Sequence, residues 1–233
     1  MSETLNSNEV AHEWWGLIDY EVALKRMVSA HASRVVGSRD DGFFYLEHPA
    51  IITYGRATPE SDLKTGTVPL IEVPRGGLAT YHAPGQMVGY IVLDLSRRAD
   101  NRKPDIHAYL RALEAGIIDF LRIEFSLESC RREGFTGVWT VPEAGENHGR
   151  KLASIGVSAR RWVTSHGFAL NICPDMSGFD QIVPCGITDA TMTSVEKEYA
   201  KRGQSLAIKP MEAWSAIAHG YLVNALRDEG WLF

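Results

Sequence analysis

The run from residue 86 to residue 95, QMVGYIVLDL, limits the folds open to this chain more than any other stretch. It is apolar and partly β-branched, which is typical of a strand buried in a sheet. It is also far shorter than the ~20 apolar residues that a membrane-spanning helix needs. A strand of this kind must be covered, so the remaining segments have to supply both its neighbours in a sheet and the layers that shield it.

Shorter extended runs can supply the neighbouring strands, and three longer periodic segments can supply the covering helices. Extended structure is expected over residues 42–47, 51–55, 66–73, 137–141, 151–157 and 167–172. Apolar residues recur at helical spacing over residues 17–35, 105–120 and 211–226. This order predicts one α+β (α/β) domain, a mixed sheet covered by helices. Residues 1–13 are expected to be a flexible N-terminal leader, and residues 14–233 the catalytic domain.

Composition narrows the class of protein. The chain has 233 residues and a net charge of −5, which argues against nucleic acid as a partner. Its start lacks the basic and apolar regions of a secretory signal, and no stretch is long enough for a membrane span. Three cysteines form a poor disulfide framework, so a reducing cytoplasm is the expected location. The eight histidines show no spacing typical of a metal site.

Cys185 is the first candidate for chemistry. It stands between Pro184 and Gly186, where a tight turn would keep a thiol accessible. The alternative is a small buried side chain, which is what most free cysteines are. For Cys130 and Cys173 the structural interpretation is preferred, because neither has such a setting.

Lys151 is the second candidate. It begins an extended run, KLASIGV, whose other residues are small or apolar. Desolvation favours the neutral amine, which can act as a general base beside a thiol. The alternative is an ordinary lysine at a loop edge with its ammonium group in water.

The segment from residue 75 to residue 86, RGGLATYHAPGQ, is the third candidate. Its glycines would let a ligand approach the backbone closely. The alternative is a bulged hairpin that enters the next strand. It lacks the lysine and hydroxyl residue of a phosphate-binding loop, and the position of His82 favours a pocket wall.

Taken together, residues 47–55, 75–86, 151–156 and 165–171, with 184–186, are similar to the octanoyltransferase family, also called lipoate–protein ligase B. The resemblance extends over residues 14 to 225. It implies that Cys185 carries an acyl thioester and that Lys151 activates the thiol and shuttles protons. It also implies an acyl pocket lined by Arg75, Gly76, Gly77, Leu78, Ala79, Thr80, Tyr81, His82, Ser154, Ile155, Gly156, Gly167, Phe168 and Ala169. One departure is Ala83, where the family usually has glycine and where a methyl group could narrow the pocket wall.

The same resemblance implies the fold of the biotin and lipoate ligase catalytic domain, and it implies the partners. The octanoyl donor would be acyl carrier protein, whose phosphopantetheine holds the acyl chain, so no cofactor is expected. The acceptors would be apo lipoyl domains of the E2 subunits of 2-oxoacid dehydrogenases and the glycine cleavage H protein. The enzyme is expected to be a monomer, and Arg160–Arg161 is the favoured docking site for the acidic carrier.

Two alternatives stay open. An ATP-dependent lipoate or biotin ligase could use the same fold without a cysteine. A non-catalytic module that binds lipoyl domains or carrier proteins would need neither Cys185 nor Lys151. An apolar slot walled by Leu78, Val88, Leu152, Ile155 and Phe168 favours acyl transfer, since each buried methylene contributes about 0.8 kcal/mol to recognition.

Overall fold

A computed structural model of the chain describes residues 10–64, 66–73, 77–99, 102–183 and 191–232. Ten strands and four α-helices are described in these ranges. The strands are β1 His12–Leu17, β2 Gly42–Glu47, β3 Ile51–Tyr54, β4 Leu70–Glu72, β5 Thr80–His82, β6 Gln86–Val92, β7 Ser129–Arg132, β8 Phe135–Thr140, β9 Lys151–Arg160 and β10 Val163–Asn171. The helices are α1 Tyr20–Val35, α2 Ile106–Phe125, α3 Val195–Lys201 and α4 Met211–Asp228.

Seven strands form a mixed sheet in the order β1-β2-β6-β10-β9-β8-β7. The β1 and β2 strands are parallel, and each of the other neighbouring pairs is antiparallel. A second sheet of three strands has the order β4-β3-β5. Every residue of β6 is buried, which confirms the buried strand expected from its apolar sequence.

Helices cover both faces of the large sheet. One face packs against α1, which contributes Ala23, Met27 and Ala30. The other face packs against α2 and α4 in a larger core. These two helices touch closely where Gly116 lies against Leu222, so that a side chain at Gly116 would meet the α4 backbone at 2.9 Å. The arrangement confirms the prediction of a mixed sheet covered by helices.

Helix boundaries follow local signals. The side chain of Asp105 accepts hydrogen bonds from the backbone of His107 and Ala108, which caps the start of α2. The helix runs to Phe125, five residues further than its expected end. The expected helix over residues 17–35 begins at Tyr20 instead, because Leu17 belongs to β1 and pairs with Glu47.

The leader expected over residues 1–13 stays a prediction, because residues 1–9 lie outside the described residues. The first strand begins at His12, where it pairs with Phe43 of β2. Within the described ranges, no helix combines the length and apolar character needed to cross a membrane.

Candidate active site

A cavity lies over three neighbouring strands of the large sheet. Its floor follows from the strand register, since Ala169 of β10 pairs with Val88 of β6 and with Ser154 of β9. Two residues earlier, Gly167 pairs with Gly156 of β9. Small residues thus occupy four adjoining positions on two strands, and they leave a slot where larger side chains would fill the space.

The walls come from other elements. Tyr20 of α1, Tyr90 of β6 and His166 of β10 surround one part of the slot, and Thr80 and His82 reach it from the small sheet. The space measures about 510 Å³ out to its open mouth, and its lining is mainly apolar. The complete lining is Tyr20, Gly77, Leu78, Thr80, His82, Val88, Tyr90, Ser154, Ile155, Gly156, His166, Gly167, Phe168 and Ala169. Such a cavity suits a narrow apolar ligand.

A second cavity adjoins the first and contains Lys151. The two cavities share Gly77, Leu78, Ile155 and Gly156, which places these residues between the slot and the lysine.

The Lys151 side chain is 2% exposed, so the second of the two sequence interpretations, a lysine in water at a loop edge, is wrong. Its Nζ lies 5.0 Å from the ring centroid of Trp139 on β8. Gly137, at φ 132°, leaves room for the lysine, since a Cβ there would lie 2.8 Å from Lys151 Cε. The strand is further held by Glu114, whose carboxylate accepts a 2.9 Å hydrogen bond from the Gly137 backbone.

The two ends of the segment that contains Cys185 are both anchored. Before it, the backbone N–H of Val183 donates to Asp62 at 2.8 Å. After it, Thr191 accepts a 2.8 Å hydrogen bond from the backbone N–H of Lys151. Pro184, Cys185 and Gly186 themselves lie outside the described residues, as do Arg75 and Gly76.

Some residues named from the sequence point elsewhere. Ala79 and Tyr81 alternate with Thr80 and His82, and their side chains pack instead in a cluster beneath the small sheet. Ala83 belongs to the same cluster, so its methyl group does not narrow the cavity wall. Leu152 is buried in the core on the α2 and α4 side.

Three lining residues were not expected from the sequence, namely Tyr20, Tyr90 and His166. The sequence pattern places Tyr20 on the apolar face of a helix and Tyr90 in a buried strand. Neither pattern indicates a residue that lines a pocket. His166 adopts φ 61°, a left-handed conformation in mid-strand that is unusual for a residue other than glycine. His166 lies in the stretch 165–171 that carries the family resemblance, so the sequence could point to this residue. Nothing in the sequence indicates its left-handed backbone conformation.

Buried aromatic and histidine side chains cluster beside the slot. Both ring nitrogens of His48 are engaged, Nδ1 with the Ile18 carbonyl at 2.8 Å and Nε2 with the Tyr90 hydroxyl at 3.0 Å. The ring centroids of His48 and Tyr20 are 5.0 Å apart. Burial lowers the pKa of His48 from 6.5 to about 4, although the Ile18 carbonyl acts in the opposite direction. His48 is therefore a neutral imidazole at physiological pH, and its hydrogen bond holds the Tyr90 hydroxyl in place.

The depressed pKa of His48 predicts an acid-sensitive fold. Below pH 6.5 the unfolded chain binds a proton that the folded protein takes up only near pH 4, so stability rises with pH across this window. We expect this group to lower the free energy of unfolding by about 2 kcal/mol between pH 7.5 and pH 5. Urea unfolding of the wild type and of His48→Gln at both pH values measures the difference. Identical pH dependence in the two proteins would contradict the assignment.

The two described cysteines lie away from the cavities. Cys130 Sγ donates to the Thr140 carbonyl at 3.6 Å, and burial raises the pKa of its thiol. Burial also raises the pKa of Cys173, which packs against the larger core. Both settings fit the structural interpretation. Among the side chains that the structure describes, no group of three or more His, Cys, Asp and Glu could hold a metal ion.

The comparisons with known proteins agree with this geometry. Residues 19–211 match the family model described as the lipoyl protein ligase A/B catalytic domain. An octanoyltransferase from Nitrobacter hamburgensis is 44% identical over 181 residues, which cover 76% of this chain and 73% of that protein. An octanoyltransferase from Syntrophotalea carbinolica is 43% identical over 182 residues, or 78% of this chain and 81% of that protein.

Solved structures share the fold at low identity. A bi-partite lipoate protein ligase from Thermoplasma acidophilum superimposes with a TM-score of 0.61 at 15% identity, over 94% of this chain and 84% of that one. A biotin protein ligase from Aquifex aeolicus, in complex with biotin and ATP, gives a TM-score of 0.52 at 9% identity, over 94% of this chain and 71% of that one. These likenesses confirm the expected catalytic-domain fold. The chain belongs to the lipoyl protein ligase A/B catalytic domain family, and within it to the octanoyltransferases.

Proposed function

We propose that this protein moves an octanoyl (or lipoyl) group from acyl carrier protein to a lysine of apo lipoyl domains, through a thioester on Cys185. The observation that carries the proposal is the apolar slot, floored by small residues of β9 and β10, whose lining shares Gly77, Leu78, Ile155 and Gly156 with the cavity holding Lys151. The octanoyltransferases among its relatives support the choice of acyl group.

The reaction needs two exchanges and no energy source. The Cys185 thiolate attacks the donor carbonyl, a C–S bond forms, and the phosphopantetheine thiolate leaves. The acceptor amine then attacks the Cys185 thioester, a C–N bond forms, and Cys185 leaves as a thiolate. Thioester exchange is nearly neutral in energy and amide formation is downhill, so ATP is not required.

Lys151 would serve both exchanges. As an ammonium it stabilises the Cys185 thiolate, since an opposite charge nearby favours the charged form of a thiol. After it gives its proton to the phosphopantetheine thiolate that leaves in the first exchange, Lys151 is an amine and can take the proton that the acceptor lysine loses in the second. Its burial beside Trp139 limits competition from water for this proton.

The donor and acceptor proteins follow from the reaction. The partners would be octanoyl-acyl carrier protein, and apo lipoyl domains of E2 subunits or the H protein. The donor carries the acyl chain on its own phosphopantetheine, so the enzyme would need no cofactor. A cytoplasmic monomer fits this role.

A reconstituted transfer assay tests the proposal. Purified enzyme, octanoyl-carrier protein and an apo lipoyl domain should yield octanoylated domain, detected by intact mass, without ATP. Free octanoate with ATP should yield none. Transfer only with octanoate and ATP would instead favour an adenylate-forming ligase, and binding without transfer would favour a non-catalytic module.

The depth of the slot should determine which acyl chain length the enzyme prefers. In Ala169→Leu the added methyl groups would fill the floor between Val88 and Ser154. If three methylenes lose their place at about 0.8 kcal/mol each, kcat/KM for octanoyl transfer should fall by about 60-fold. Butanoyl transfer should fall much less. Assays with both donors check this, with Ala169→Ser as the control of nearly equal volume; an unchanged octanoyl preference in Ala169→Leu would place the acyl chain elsewhere.

A further inference from the structure

A chain of buried side-chain hydrogen bonds runs from the slot toward Lys151. His82, which lines the slot, contacts the Gln86 side-chain oxygen through Nδ1 at 2.7 Å. The Gln86 amide donates to Asn171 Oδ1 at 2.8 Å, and Asn171 Nδ2 donates to the Thr193 carbonyl at 2.9 Å. Gln86 and Asn171 are each 1% exposed, so these bonds form in a setting where an unpaired amide is costly.

Thr193 is the point where this chain reaches the lysine. Its backbone N–H donates to the Lys151 carbonyl at 2.9 Å, as the Lys151 N–H does to Thr191 at 2.8 Å. The residues on either side of Met192 therefore form a short parallel pairing with Lys151. Thr193 is 2% exposed, and its backbone carbonyl is held by Asn171.

The Thr193 hydroxyl also connects to the start of β9, through Glu198 and Arg150. It donates to Glu198 Oε1 at 2.6 Å. The two Glu198 oxygens also accept from Arg150, from Nε at 2.9 Å and from an η nitrogen at 2.8 Å. Burial alone would raise the pKa of Glu198, but the hydrogen bonds from Arg150 and Thr193 outweigh it and hold the pKa below its usual value. Glu198 thus stays a carboxylate, and it holds the side chain of Arg150, the residue before Lys151.

We propose that Thr193 is a positioning residue, which holds Lys151 in register with the segment that carries Cys185. The inference rests on the proposed function, since it takes Lys151 and Cys185 as the reacting pair. Cys185 lies six residues before Thr191, and Thr191 is bonded to Lys151 itself. Any shift of residues 191–193 along β9 would therefore change which of these residues, next along the chain from the Cys185 segment, pairs with Lys151.

The backbone bonds alone leave this register weakly specified. The parallel pairing at Lys151 is an isolated bridge, not part of the seven-stranded sheet. Its two backbone hydrogen bonds would form equally well between other residues. The Thr193 hydroxyl and the Asn171 amide are side-chain contacts that fit one register only, and this is the role we assign to them.

The variant pair Thr193→Val and Thr193→Ser tests the proposal. Valine keeps the shape but loses the hydroxyl that reaches Glu198, whereas serine keeps the hydroxyl. Thr164→Val is a matched control, because Thr164 is 0% exposed and its hydroxyl links Leu93 and Ile91 in the same sheet. Thr164 pairs with Ala159, roughly 26 Å along β9 from Lys151 at 3.3 Å per residue.

Thr193→Val should lower kcat for octanoyl transfer by about 10- to 100-fold, the usual cost of an ångström-scale misplacement. KM for octanoyl-carrier protein should change by less than about twofold, since the slot is intact, and Thr193→Ser should recover most of the rate. The rate of Cys185 alkylation at pH 7 should fall in Thr193→Val but not in Thr164→Val, even if both melt at a lower temperature.

Two results would overturn the inference while leaving the proposed function intact. One is a wild-type kcat and a wild-type alkylation profile in Thr193→Val. The other is an equal loss of kcat in Thr164→Val, which would show a general effect of destabilisation. Failure of the proposed function is distinct, because the wild-type protein would then transfer no octanoyl group at all.

Discussion

Replacing Cys185 by alanine is expected to lower the rate of octanoyl transfer by about 10⁴-fold or more, because the covalent route is lost with the nucleophile. The protein should still fold, since the change removes one sulfur atom. The measurement is the initial rate of lipoyl-domain octanoylation under saturating donor. Circular dichroism and urea unfolding of the same samples check the fold.

Cys130→Ala and Cys173→Ala are the matched controls for this loss. Burial raises the pKa of both thiols, and both side chains lie away from the two cavities. We expect each to transfer within about threefold of the wild-type rate, as neither thiol is in the reactive thiolate form at neutral pH. A wild-type rate in Cys185→Ala, or a comparable loss in Cys173→Ala, would refute the role of Cys185.

Replacing Lys151 by methionine is expected to lower kcat by about 10²- to 10⁴-fold, the range for loss of a positioned acid–base group. Methionine keeps most of the buried apolar stem against Trp139 and Gly137 and removes only the amine. The alkylation rate of Cys185 below pH 8 should fall toward that of an ordinary thiol. Both measurements should move together if one amine serves both roles.

Lys209→Met is the matched control, because Lys209 also places its Nζ over an indole ring, 4.5 Å from the Trp214 centroid. Trp214 lies on α4, on the side of the sheet opposite the slot. This variant should keep wild-type kcat and alkylation. If Lys151→Met behaves in the same way, the pairing of Lys151 with Cys185 is wrong.

The elements with strong local patterns could be predicted from the sequence. Residues 86–95 are apolar apart from Gln86 and Asp94, and the amphipathic pattern of residues 211–226 repeats at helical spacing. The β1 and β7 strands gave no such signal. The β1 sequence HEWWGL does not alternate and runs into the helical pattern that follows, while β7 is a four-residue edge strand, SCRR. Edge strands obtain their structure from a neighbour, so local sequence specifies them weakly.

The residues of the candidate site could be predicted in part, but the contacts between them could not. Gly156, Gly167 and Ala169 were expected to line the pocket, because they lie in stretches that resemble the octanoyltransferase family. What one sequence could not show is register. The pairing of Ala169 with Ser154, and the contact between Asn171 and Thr193, depend on which strands become neighbours. Tertiary pairing of this kind leaves no periodic trace along the chain.

The most direct test of the account is the mass of the enzyme after it is mixed with octanoyl-carrier protein alone. Withholding the acceptor should trap the intermediate, with the mass of one octanoyl group added. Peptide mapping should place the adduct on Cys185, and hydroxylamine should remove it as it removes a thioester. An unmodified enzyme that nevertheless transfers octanoyl groups when the lipoyl domain is added would contradict the account.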